Sequence, residues 1–369
     1  MKDDLYNGSR LTAHGELYSK LFNNPFYLED VKLVANLDYD WSKLKDKTVL
    51  ISGASGLIGS FLVDVLMFRN INNSMNCKIF ALGRNEERAH ERFIDYWDKD
   101  EFKFIAHDVN EPFKNFTNTN FDYIFHLASN THPKFYSLYP VETIITNILG
   151  LNNLLNLAVK NNTKRFLFTS SVEVYGESRG DTEFFDENYC GCINISKARS
   201  GYNESKRCGE TLCLSYLQQY GLDVVIPRLP RTYGATMLND DSKATAQFFK
   251  KALAHEDIIL KSDGKQFFSF MYVADAVSGI LKIFFNGATG EAYNIADEKS
   301  DIMLKDFAKL VADYANQKVI FDIPDAIEKA GYSMSTKARL NSSKLKMLGW
   351  KSYFDIQTGI KRTLDILSN

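Results

Sequence analysis

Between positions 48 and 227 the chain alternates short apolar runs with longer stretches in which apolar residues recur at helical spacing. The runs at 48–52, 78–82, 103–106, 123–127, 165–170 and 223–227 predict strands, and the stretches at 57–68 and 144–160 predict helices. Strands that alternate with helices pack as a parallel sheet covered on both faces, so the pattern predicts an α/β, doubly wound parallel sheet of the Rossmann type. Beyond Pro227 the rhythm loosens. Short helices at 244–254 and 304–316 and the turn Gly349-Trp350-Lys351 predict a smaller, mixed C-terminal lobe. Residues 1–47 are polar and aromatic by turns, with Leu21, Phe22, Pro25, Phe26, Tyr27, Leu28 and Trp41 as candidates for burial, and predict a short helical extension. The expected organisation is an extension over 1–47, a sheet domain over 48–227 to which 271–297 returns, and a lobe over 228–369.

The bulk composition narrows the class of protein. The chain has 369 residues, 45% apolar and 24% charged, which is ordinary globular usage and enough for two full cores. A net charge of −2 without a basic block argues against nucleic acid as a partner. Five cysteines, an odd number with no CxxC pair, fit a reduced cytoplasmic protein better than a disulfide framework or a metal site. The start, Met1-Lys2-Asp3-Asp4, is no signal peptide, and no apolar run is long enough to span a membrane.

Two segments carry chemistry. Gly53-Ala54-Ser55-Gly56-Leu57-Ile58-Gly59 follows the first apolar run and opens the first helix. There Gly53 permits the turn, Gly56 lets backbone approach a pyrophosphate, Gly59 lets the helix pack closely, and the first N–H groups of the helix face the phosphates. The 48–227 segment is thus expected to bind a dinucleotide and the later lobe its substrate. The second strand ends at Gly83-Arg84 with no carboxylate for a free ribose. Arg84 is expected to pair with a 2′-phosphate or to stack on adenine, so NAD and NADP both stay open. Asp108-Val109 stands where an adenine would be gripped.

Downstream, Tyr202 stands four residues before Lys206, which places a phenol and an ammonium on one helical face. A tyrosine titrating near 10 needs such a neighbour to act as a base around neutral pH. Ser171, at the end of the fifth strand, is placed to bond the substrate oxygen. Glu173, two residues on, lies on the same side of an extended segment and is either a base or a buried group that positions Tyr202.

These segments resemble the extended short-chain dehydrogenase/reductases, which include nucleotide-sugar epimerases, dehydratases and decarboxylases. The likeness runs from Thr48 to the C-terminus through His126-Leu127-Ala128-Ser129, Asn147, Pro227-Arg228-Leu229, Thr232-Tyr233-Gly234, Met271-Tyr272-Val273-Ala274-Asp275, Tyr293-Asn294-Ile295 and Leu348-Gly349-Trp350. Residues 201–212 and 233–237 are most similar to UDP-glucuronate decarboxylases. The resemblance implies cofactor contacts at Leu127, Ala128, Ser129, Asn147, Thr169, Tyr202 and Lys206, and hydride chemistry at a sugar C4 by Ser171, Tyr202 and Lys206. It implies substrate contacts at Ser129, Arg231 and Arg339.

Two departures stand out. Phe268 occupies a position where similar enzymes carry an arginine, and Arg231 one where they carry an asparagine. Arg231 is either a relocated phosphate anchor or the partner of a protein carboxylate. The expected activity is an NAD(P)-dependent nucleotide-diphosphate-sugar epimerase or dehydratase working through a transient 4-keto sugar. A UDP-glucuronate decarboxylase-like enzyme and a net 4-keto-sugar reductase are the alternatives. The resemblance further implies a homodimer.

Overall fold

A computed structural model describes residues 21–113, 119–131, 138–322 and 337–368. Its main sheet runs β3 (Phe102–Ala106), β2 (Lys78–Gly83), β1 (Thr48–Ser52), β4 (Tyr123–His126), β5 (Arg165–Phe168), β7 (Val224–Leu229) and β11 (Ala292–Asn294), with β6 (Ser170–Ser171) extending β5 along β7. Every pairing in it is parallel, as expected of crossovers that pass through helices. Successive side chains of a strand point to opposite faces, and the two cores divide accordingly. Val49, Ile51, Leu167 and Val225 join one hydrophobic cluster, while Leu50, Phe166, Phe168, Val224 and Ile226 join the other. Both faces are therefore covered, which is why these strands read as continuous apolar runs.

The helices bear out the pattern and extend it. Helix α1 spans Pro25–Ala35, α2 Leu57–Asn73, α3 Glu86–Arg92, α4 Pro140–Ile145 and α5 Leu151–Lys160. The single helix expected over 144–160 is interrupted by a π-helical turn at Thr146–Gly150, a feature that often marks functional sites. Helix α6 is Ser200–Tyr220, ended by Gly221 at φ 69°.

A smaller sheet places β10 (Phe267–Tyr272) between β12 (Asp301–Met303) and β14 (Lys337–Ala338), with β8 (Arg231–Tyr233) parallel to the end of β10. The strands β9 (Ile258–Leu260) and β13 (Val319–Phe321) pair separately. Helices α7 (Ala244–Leu253) and α9 (Leu304–Tyr314) close over this sheet through Tyr233, Phe249, Phe270 and Phe307, whose rings meet at 4.7–6.0 Å. From β10 the chain enters α8 (Val273–Asn286), which lies on the main sheet with Phe284 against Tyr123 and Phe125. Towards the C-terminus come a short helix, α10 (Ser343–Met347), and a longer one, α11 (Ile356–Ser368).

The N-terminal extension is described from Leu21 onward. Asn24 caps α1 by accepting from the backbone N–H groups of Phe26 and Tyr27. Tyr27 then reaches buried Asp64 of α2, which Arg92 of α3 also holds. Three elements are thereby tied together through one carboxylate. On the next turn Asp30 accepts from Tyr272 at 2.6 Å and faces Arg362 of α11 at 3.2 Å, joining α1 to the smaller lobe.

Candidate active site

The dinucleotide cradle is built by close backbone approach. Gly53 follows β1 at φ 70°, and a Cβ there would lie 2.7 Å from the Ala128 nitrogen in the turn after β4. Gly59, one turn into α2, passes so near that a Cβ would come within 2.3 Å of the Gly53 carbonyl. Gly56 caps α2 without a side-chain acceptor, so the first N–H groups, on Leu57 and Ile58, stay with the loop. Gly53, Leu127 and Thr169 each follow the last residue of β1, β4 and β5, at the carboxyl edge of the strands where the sheet order reverses. The Thr169 hydroxyl adds to this, being buried with no hydrogen-bond partner among the described residues. The residues present therefore fit a dinucleotide.

Around that cradle the remaining expected contacts take their places. Ser55 lies beside Gly83, and Arg84 emerges exposed from the end of β2. Asp108 folds the loop after β3 by accepting from the Asn110 N–H at 2.9 Å, and Val109, 5% exposed, packs under Gly150. Asn153 of α5 holds this loop by donating to the Val109 and Asn110 carbonyls.

Buried Asn147, in the π-helical turn, accepts from Ser129 at 2.7 Å and donates to Ser205 at 2.9 Å; Ser205 in turn donates to the Tyr202 carbonyl. One hydrogen-bonded chain thus links the turn after β4 to the helix carrying Tyr202 and Lys206.

Tyr202 is 6% exposed, with the Ser171 and Ser129 hydroxyls bonding toward it. Lys206 donates to the Thr169 carbonyl at 2.9 Å and lies over the Phe168 ring. Expectation and structure differ over the phenol. Burial drives Tyr202 up to about 12, against the lowering by the serine hydroxyls and with Glu173 adding to the rise. Burial also brings Lys206 down to about 8. In this arrangement burial of the phenol outweighs the lowering that the sequence leads one to expect.

Glu173 occupies the centre of an ionic cluster. Its Oε2 accepts from Arg199 at 3.2 Å and from Asn203 at 3.1 Å, and its Oε1 faces Arg231 at 3.5 Å. Burial works to raise its pKa, but the two guanidinium groups outweigh it and hold the carboxyl below its ordinary value. Arg231 is thus the partner of a protein carboxylate, one of the two roles the sequence leaves open. Its guanidinium carbon also lies over the Phe268 ring, 3.3 Å from the centroid, because β8 runs beside β10. Arg339 has its own set of partners. It is held by Asp301 at 3.0 Å and Glu183 at 2.6 Å, sandwiched by Phe184 and Phe267, beside a cavity of about 430 Å³ that Lys337 and Thr182 also line.

Several members of the site have no motif of their own. Arg199 precedes Tyr202 by three residues and Asn203 adjoins it, so proximity to the tyrosine on α6 is the only signal that could have found them. Glu210 accepts from Ser170 at 2.5 Å and from Nε and Nη2 along one edge of Arg228 at 2.9 and 2.6 Å, locking β6 to α6. Arg228 also donates to Tyr175, which bonds Asn294 of β11. Only the fold brings these five positions together.

Comparison with known proteins agrees with this geometry. A family model described as the NAD dependent epimerase/dehydratase family matches residues 49–296. The chain is 33% identical over 316 residues to UDP-glucuronic acid decarboxylase 3 of Arabidopsis thaliana, covering 85% of this chain and 86% of the relative. It is 31% identical over 324 residues to UDP-glucuronic acid decarboxylase 1 of Danio rerio, covering 87% and 73%. Among solved structures it shares its fold with DesIV of Streptomyces venezuelae, a dTDP-glucose 4,6-dehydratase with NAD bound, at a TM-score of 0.74 and 22% identity, covering 86% and 96%. UDP-glucuronic acid 4-epimerase of Bacillus cereus, solved with UDP-glucuronic acid and NAD, matches at 0.72 and 20%, covering 87% and 98%.

Proposed function

Because the chain belongs to the NAD dependent epimerase/dehydratase family, we propose that it oxidises a nucleotide-diphosphate sugar transiently at C4, alters the resulting ketone, and reduces it again. The cofactor supplies the hydride acceptor and donor. The glycine loop, Asp108-Val109, Leu127-Ala128-Ser129, Asn147, Thr169 and Lys206 would hold it, with Arg84 at its 2′-position. Ser171 bonds the C4 oxygen and Tyr202 takes its proton. With its own pKa near 12, Tyr202 needs positive charge brought close to it, and Lys206 is the chain's contribution.

The observation that carries the reading is Glu173. Its carboxyl, two residues from Ser171 and electrostatically coupled to Tyr202, is held below its ordinary value by two guanidinium groups. A carboxylate there is suited to remove the C5 proton that a C4 ketone makes acidic, which serves epimerisation or dehydration. Glu173→Gln is therefore expected to bind substrate and complete the first hydride transfer, then stall, with the near-ultraviolet band of reduced nicotinamide accumulating. A full cycle at the wild-type rate would make Glu173 structural and simple 4-epimerisation the better reading.

Decarboxylation of a nucleotide-linked uronic acid is the second reading, favoured by relatives at 31–33% identity that are UDP-glucuronic acid decarboxylases. Product masses from a panel of nucleotide sugars separate the two, since one loses carbon dioxide and the other water or nothing. A net 4-keto-sugar reductase would exchange its cofactor freely during turnover.

A homodimer and a cytoplasmic location complete the proposal. Leu138, Val141, Ile145 and Leu149 form an exposed apolar row along α4 and the π-helical turn, which packs against α6. None of the five cysteines is bridged. No helix among the described residues is long and apolar enough to cross a membrane.

A further inference from the structure

Three consecutive residues after β5 and in β6 fasten to three residues of α6. The Thr169 carbonyl accepts from Lys206 at 2.9 Å, the Ser170 hydroxyl donates to Glu210 at 2.5 Å, and the Ser171 hydroxyl bonds toward Tyr202. Tyr202, Lys206 and Glu210 follow one another at intervals of four, so they stack along one helical face. Two of these fastenings are made by groups that the chemistry uses, since Tyr202 moves a proton and Lys206 brings charge to it. Glu210 takes no part in that exchange, so its bond holds the strand end in register while the others work.

Glu210 is itself held. Arg228 of β7 grips both its oxygens, Nε on Oε1 at 2.9 Å and Nη2 on Oε2 at 2.6 Å, in the paired geometry by which a guanidinium binds a carboxylate firmly. Both side chains are 12% exposed. Arg228 donates in turn to the Tyr175 hydroxyl and the Glu187 carbonyl. The carboxylate is thereby fixed one helical turn beyond Lys206, on the side that meets the strand ends.

Charge at that position acts on Lys206. Burial brings the ammonium down to about 8, and Cys213 and Glu210 of its own helix work against the fall. Burial pushes the Cys213 thiol well up, so it is uncharged at neutral pH. His126 of β4, lowered to about 3 by burial and by Lys206, is uncharged too. Phe168 and Thr169 present only a ring and a carbonyl. Among these described groups facing Lys206, Glu210 supplies the charge.

We propose that Glu210 is a positioning residue of the proton-transfer site: anchored by Arg228, it fixes residues 169–171 along α6 and holds negative charge beside Lys206. Lys206 then stays an ammonium where burial draws its proton affinity down, and Tyr202 keeps a positive neighbour. This rests on the reading of Tyr202 and Lys206 as the proton-transfer pair.

The test follows Lys206 directly. Purified protein carrying ¹³Cε-labelled lysine is titrated by NMR, the Lys206 resonance being assigned by its loss in Lys206→Gln. Lys206 is expected to titrate at about 8 in the wild type. In Glu210→Gln it is expected to fall by about 1 pH unit, the low end of the usual effect of removing an adjacent opposite charge. Glu210→Asp keeps the charge and is expected to recover most of that fall. Because Glu210→Gln leaves the Arg228 guanidinium unpaired, the double variant with Arg228→Gln guards against misfolding and is expected to show a fall as well. Arg228→Gln alone loosens the strand end but keeps the carboxylate, and is expected to leave Lys206 no lower than in the wild type.

An unchanged Lys206 titration in folded Glu210→Gln, or in the double variant, overturns the proposal. So does an equal fall in Arg228→Gln, which is what loss of packing alone would give. Normal turnover in Tyr202→Phe removes the proton-transfer reading instead, and with it the purpose of any coupling measured between Glu210 and Lys206.

Discussion

Tyr202 shows how burial and charge compete on one side chain. The phenol stands close to Ser171 and Ser129, yet loss of water dominates and lifts its pKa to about 12. Lys206 is lowered to about 8 for the same reason, since a buried ammonium loses hydration as a buried phenolate does. A positive charge brought beside such a pair would lower the tyrosine. Tyr202→Phe keeps the ring and its packing and removes only the proton, so turnover is expected to drop by at least about 10²-fold, the usual scale for a general acid or base. Circular dichroism and thermal melting should be unchanged, and near-normal turnover would remove Tyr202 from the mechanism.

Among the elements, the loop from β1 into α2 is the most constrained. A Cβ on Gly59 would meet the Gly53 carbonyl at 2.3 Å and Ala54 Cα at 2.9 Å, and both are backbone atoms that cannot swing aside. Gly59→Ala is therefore expected to displace the loop from the helix. If overpacking of about 1–3 kcal/mol is relieved that way, NAD affinity falls roughly 5- to 150-fold. Calorimetry on wild type and variant measures it, and equal affinities would show that the loop has slack the structure does not suggest. Beside the α4–α6 contact, Leu138, Val141, Ile145 and Leu149 present an exposed apolar row. Light scattering is expected to give a mass about twice 42.1 kDa, and Val141→Glu combined with Leu149→Glu to return it to that of one chain. A single-chain mass for the wild type at micromolar concentration would refute the dimer.

For the whole molecule, the N-terminal extension ties its stability to pH. Asp30 bridges α1 to Tyr272 and Arg362, and burial raises its pKa from 3.8 to about 7, against the lowering by those two partners. Asp275 is likewise raised to about 7 by burial, although it accepts from the Tyr353 and Phe354 N–H groups. Between 3.8 and about 7 the folded protein holds protons that the unfolded chain has released, so stability falls as pH rises through that window. Melting temperature is expected to decline over the same range through these two groups. Asp30→Asn, which cannot ionise, should flatten part of that decline; a slope identical to wild type would exclude Asp30 as a contributor.

What the chain determined by itself is local. Strand runs at 48–52 and 165–170, the glycine spacing at 53, 56 and 59, and the interval between Tyr202 and Lys206 all act within one or two turns of backbone, so their physics can be read from neighbouring residues. Tertiary structure decided whatever depends on groups far apart in the chain meeting in a dry site. It broke the expected helix at Thr146–Gly150 to aim Asn147 between Ser129 and Ser205. It raised Tyr202 where local reasoning expects lowering, because desolvation is set by the whole surrounding volume and not by the residue four places on. It also settled Arg231, since two strands brought side by side put a guanidinium against Phe268 and within reach of Glu173, 58 residues earlier in the sequence. Coulomb and solvation energies depend on distance in space, and sequence separation carries little of that information.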